Sequence, residues 1–80
     1  MVQLNRAVAL AETGHLQAAL SILQNLAAEL ADYQPFHAAM AEYTARNGQP
    51  HLARAAYDRA IALAPSNADA ALLARRRAAV

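Results

Sequence analysis

The chain contains no cysteine, no tryptophan and no lysine, and its aromatic residues are three tyrosines and one phenylalanine. Without cysteine there is no disulfide framework, thiolate metal site or thiol nucleophile. Apolar stretches are interrupted by Glu12, Gln17, Gln24 and Glu29, well short of the roughly 20 residues that a membrane span requires. The start lacks the basic-then-apolar pattern of a signal segment, so the expected location is cytoplasmic with no membrane partner. Seven arginines against six acids leave a net charge of +1, too little for the long-range field of a nucleic-acid binder. At 80 residues a folded chain buries about 60% of its unfolded surface, which allows one core and one domain.

What the chain does have is alanine, at 24 of 80 positions, which favours helices throughout. No strand pattern occurs. Gly14 and Gly48 lie 34 residues apart, and Ala7/Ala41, Ala11/Ala45, Ala19/Ala53 and Ala28/Ala62 recur at the same offset. That period belongs to a repeated helix-turn-helix unit. Such units stack side by side and present surfaces to other macromolecules.

Five helices follow from the pattern. The first covers about 2–13 and stops at Gly14, a residue able to take the left-handed conformation that closes a helix. The second, about 16–31, carries Leu16, Leu20, Leu23, Ala27 and Leu30 at helical spacing. Asp32-Tyr33-Gln34-Pro35 starts a third helix that reaches about Arg46, since proline fits a first turn. Asn47-Gly48-Gln49-Pro50 repeats that stop and restart, and a fourth helix follows with Ala53, Ala56, Tyr57, Ala60 and Ala64 in a stripe. Arg54 and Asp58 sit one turn apart on its wet side. After Ala64-Pro65-Ser66-Asn67, with Ser66 or Asn67 as cap, a fifth helix leads to Arg75, Arg76 and Arg77. Small residues let helices approach closely: Ala41 is expected against Ala53 and Ala60, Tyr57 and Ile61 between the pairs, and Ala7, Ala19, Leu23 and Leu26 in the corresponding posts of the first pair.

Gly48, Ala53, Tyr57, Ala60, Ile61, Leu63 and Pro65 resemble, at matching spacing, the second half of a tetratricopeptide repeat, and Gly14, Ala19 and Leu23 look like a degenerate copy. The expected fold is all-α: a right-handed stack of two antiparallel hairpins (repeat 1 about 1–33, repeat 2 about 34–67) plus a capping helix, about 68–80. His37, Thr44 and Leu26 depart from that family's usual tryptophan, tyrosine and alanine. The segments Leu4 to Glu12, Ala31 to Ala39 and Ala53 to Ala60, with Arg75-Arg76-Arg77, are similar to the C-terminal extension of one group of bacterial extracytoplasmic-function RNA polymerase sigma factors. That resemblance implies a fragment of a longer protein, a regulatory appendage in transcription initiation that contacts the sigma core, polymerase or a regulator. A free-standing adaptor or oligomerisation module is the rival; an upstream helix-turn-helix region, present or absent, separates the two.

Catalysis is not expected, nor is a cofactor. Ser21, Ser66, Thr13 and Thr44 each sit where a helix surface, a cap or packing explains them, without the convergent roles a site requires. His15, His37 and His51 never fall at i, i+3 or i+4, so no helical metal site forms. His15 and His51 are expected in water and His37 between the hairpins. A ligand or hydrolytic site between the hairpins would need converging polar groups, of which there are few. The arginine cluster suits a helix C-terminus and lacks the interleaved aromatics of a nucleic-acid reader.

Function then rests on a surface. In a tetratricopeptide stack the leading helix of each pair lines the concave face, and that register places Leu4, Asn5, Val8, Glu12, Ala38, Glu42, Arg46, Leu72 and Arg76 on it, an apolar floor with sparse charge suited to a segment of a partner protein. Glu42 and Arg46 can also pair with each other. Val2, Leu4, Val8 and Leu10 occupy several sides of the first helix, so cover by an upstream domain or a second copy of the chain is expected.

Overall fold

A computed structural model describes residues 2–80. It contains α1 (Val2–Glu12), α2 (Leu16–Leu26), α3 (Gln34–Arg46), α4 (Pro50–Ala62) and α5 (Asn67–Ala78), with no strand among the described residues. The glycines punctuate it as their chemistry demands. Gly14 and Gly48 take φ of 88° and 73°. At the first, the His15 amide donates to the Leu10 carbonyl at 2.8 Å and the Gly14 amide to Ala11; at the second, Gln49 donates to Thr44 at 3.0 Å and Gly48 to Ala45. This paired closure recovers carbonyls that a helix end leaves orphaned, and it needs a left-handed residue at its centre.

Prolines open α3 and α4 within their first two positions, and neither start has a side-chain cap. At α5 the Ser66 hydroxyl accepts from the Asp69 amide, so Ser66 is the cap and Asn67 the first helical residue.

One boundary differs from the sequence expectation. Helix α2 ends at Leu26, not near residue 31, and Ala27 to Asp32 form turns. The Ala27 amide has slipped to a three-residue bond with Gln24, although Leu30 still donates to Leu26 at 2.9 Å. The chain keeps coiling but no longer as a regular helix, and Ala27, placed on the apolar stripe, is exposed.

The helices pack in sequence order: α1 on α2, α3 on α4, α5 on α4, with α3 also touching α2 and α1. No packed face joins α1 to α4 or α5. Helix α3 is the shared wall of two apolar clusters. Its Phe36 and Tyr43 join Leu4, Ala7, Ala11, Ala19, Leu20 and Leu23 from α1 and α2, whereas its Ala41 joins Ala56, Tyr57, Ala60 and Leu73 from α4 and α5. Ala7, Ala19, Ala41, Ala53 and Ala60 are all fully buried. Methyl-sized side chains at these contacts let helix axes come close, and the larger Leu23, Tyr43 and Tyr57 fill the space around them. The Cα radius of gyration is 11.7 Å, matching the roughly 11.6 Å of a close-packed chain of this length.

Candidate protein-binding face

The residues expected on one face differ in exposure. Asn5, Glu12, Arg46 and Arg76 are exposed, Val8 and Leu72 are 37% and 41% exposed, and Glu42 is half-buried. One position is corrected. Leu4 is only 6% exposed and belongs to the core between α1 and α2; register alone placed it on the face, but an apolar side chain there gains more from burial in the adjoining cluster. Ala38 is half-buried against the cluster of α3, α4 and α5.

Charged side chains from α1 and α3 converge. The Arg46 guanidinium lies 3.5 Å from a Glu12 carboxylate oxygen and 3.5 Å from one of Glu42, the latter one helical turn away. Its carbon also sits 5.3 Å from the centroid of the Tyr43 ring, within the range of a cation–π contact. The two carboxylates outnumber the single guanidinium, so the cluster carries a net negative charge.

Two tyrosines extend this field across the molecule. Burial raises the Tyr43 hydroxyl above the ordinary tyrosine value, Glu42 and Glu12 add to the rise, and Arg46 opposes it. Tyr57 on α4 is also raised by burial first, with Arg76 opposing and Glu42 adding. Desolvation and a neighbouring carboxylate both disfavour a phenolate. Glu42 therefore acts on both hydroxyls, and Arg76 of α5 shares the surroundings of Tyr57 with it. In the sequence Tyr57 marks packing and the tetratricopeptide pattern, and nothing marks Tyr43, whose place beside Arg46 is set by tertiary packing and has no local sequence signal.

Other polar links tie the helices together elsewhere. The Gln17 amide donates to Asn47, joining the two glycine turns. Arg59 holds Asp32 at 2.8 Å, and the His37 Nε2 donates to the Ala31 carbonyl at 2.6 Å while its ring meets Phe36 edge-on at 5.0 Å. His37 thus sits half-buried where the two hairpin segments meet, and His15 and His51 are exposed. Arg54 and Asp58, one turn apart on α4, do not pair. Arg54 donates to the Val80 carbonyl at 2.9 Å and Asp58 binds Arg77 at 2.7 Å, both partners being brought alongside α4 by α5 and the residues after it.

The hydroxyls are engaged locally. Thr13 donates to the Ala9 carbonyl at 2.9 Å, Thr44 is buried and donates to Met40 at 2.7 Å, and Ser66 caps α5. Ser21 stands alone on the surface of α2.

No family model, no curated protein and no solved structure matches this chain.

Proposed function

We propose that the chain is a protein-binding module of tetratricopeptide type, two stacked hairpins closed by α5, and that α1, α3 and α5 share the face that receives a partner segment. The observation that carries this reading is the contact between Glu12 and Arg46, which are 34 residues apart and occupy equivalent places in the two sequence units. Equivalent positions meet when two copies of a unit lie side by side in the same sense. The lack of a packed face between α1 and α4 agrees with an open stack.

The mixed character of the face suits a peptide or helix with apolar anchors. Val8 and Leu72 offer apolar contact, while Glu12 and Glu42 are balanced by Arg46 and Arg76, which leaves a face of both signs with no net charge. On the strength of the sigma-factor resemblance, that partner belongs to the transcription machinery: the sigma core, polymerase or a regulator.

The test is co-purification with bacterial RNA polymerase using the wild type, Glu42→Arg and Asn5→Ala. Retention by the wild type, reduced about tenfold or more by reversing the charge at Glu42, supports both parts of the reading. Absence of polymerase from the wild-type sample removes the transcription assignment. Equal retention by Glu42→Arg removes the face.

A further inference from the structure

A second surface lies away from this face, where α1 begins and α2 ends. Val2, Leu4, Leu26 and Leu30, with Gln3 and Glu29 among them, line a groove of about 210 Å³. Val2 is 80% exposed there. A dry apolar cavity of ~150 Å³ holds a benzene-sized group, so this groove accommodates a leucine side chain.

The charges single out what would enter it. Among the described residues Glu12, Asp32, Glu42 and Asp58 each pair with an arginine, and Asp69 bonds the capping Ser66. Among the described residues Glu29 is the acid with no such partner, and it lies in the groove. On α5, Arg75 and Arg76 are exposed and form no ion pair, whereas their neighbour Arg77 is held by Asp58. Leu72 precedes them by three and four residues, so all three side chains share one side of the helix. The chain thus displays an apolar groove between the start of α1 and the turns that follow α2, with the acid Glu29 in it, and an exposed leucine with two cations on α5, which has no packed face with α1 or α2.

We infer that these surfaces are the two halves of one contact, and that copies of this chain associate head to tail, with Leu72 of one copy in the groove of the next and Arg75 and Arg76 against its Glu29. Such a contact is heterologous, so each copy keeps one half free and the assembly grows with concentration. A standard interface buries roughly 800 Å² per partner, a large share of the 4736 Å² the chain exposes, and a groove this small covers less. The association is therefore weak and salt-sensitive.

The experiment is sedimentation velocity on the wild type, on Glu29→Arg and on the double variant Arg75→Glu with Arg76→Glu, from micromolar to millimolar concentration at low and at 1 M salt. The wild type gains mass with concentration, and high salt suppresses the gain because screening shortens to ~3 Å. Each variant alone places like charges together and weakens association by about tenfold or more. Mixing the two variants in equal amounts restores it, since each then meets an opposite charge. Far-UV circular dichroism of each sample establishes folding; the milder set Glu29→Gln and Arg75→Gln with Arg76→Gln, which moves the midpoint in the same direction, replaces any variant that has lost helicity. A wild type monomeric throughout, variants that associate like the wild type, or a mixture that stays monomeric each overturns the contact. Leu72 and Arg76 also belong to the face proposed for a partner, so the two readings are separated by Glu29→Arg, which lies outside that face, and by sedimentation of the chain alone, which contains no polymerase. Loss of self-association in Glu29→Arg with polymerase retention unchanged keeps them distinct.

Discussion

Arg46 contacts Glu12 across 3.5 Å although 34 residues separate them in the chain. The pair joins the last turns of α1 and α3, and Arg46 also pairs with Glu42 on its own helix. Both side chains of the longer-range pair remain open to water, at 43% and 57% exposure, and exposed ion pairs contribute little to stability.

A double-mutant cycle on Glu12→Ala and Arg46→Ala is expected to give a coupling of about 0.2–1 kcal/mol in urea unfolding. A coupling of several kcal/mol would mean that the pair is a structural fastening and not a surface held ready for a partner.

Ala41 is fully buried among Ala56, Tyr57 and Ala60. Enlarging it to leucine in Ala41→Leu forces α3 and α4 apart and is expected to cost about 1–3 kcal/mol. The same change at the exposed Ala55 on the far side of α4 leaves the urea midpoint nearly unmoved. If both variants lose stability alike, helix propensity and not close approach governs these alanines.

Gly48 has φ of 73° and nothing within 4 Å of where a Cβ would stand. Gly48→Ala therefore clashes with no neighbour and is destabilising through backbone strain alone, by about 1–2 kcal/mol. Asparagine, which tolerates this conformation better, loses less. Thermal unfolding of the two variants side by side checks the order.

The raised tyrosines make stability depend on alkaline pH. A folded-state value above the unfolded one means that the native protein holds its phenolic proton more tightly. The contribution is fully present below the ordinary tyrosine value of 10.0 and is lost as pH rises through the folded values. Urea midpoints should fall more steeply above about pH 10 in the wild type than in Tyr43→Phe. Equal slopes would show that Tyr43 ionises as readily folded as unfolded.

The number, order and breaks of the helices were legible in the chain because each depends on neighbours a few residues away. Gly14 and Gly48 close helices by the conformation that only they adopt readily, Pro35 and Pro50 open them, and Ser66 caps α5. The alanine stripe predicted the buried contacts of α3 and α4 for the same reason, since helical spacing is a local property. The end of α2 was misread because Leu30 fits the apolar stripe. The Ala31 carbonyl instead accepts from His37, and Asp32 accepts from Arg59, partners six and 27 residues further along.

Composition and short-range spacing by themselves determined an all-helical chain of five helices. Only the tertiary structure decided that Leu4 turns inward, that Asp58 pairs with Arg77 and not with Arg54, and that Glu12, Glu42, Arg46 and Tyr43 come together. Helix formation is settled within a turn or two, whereas burial and charge pairing depend on which distant helix arrives alongside, and no window of the sequence contains both partners.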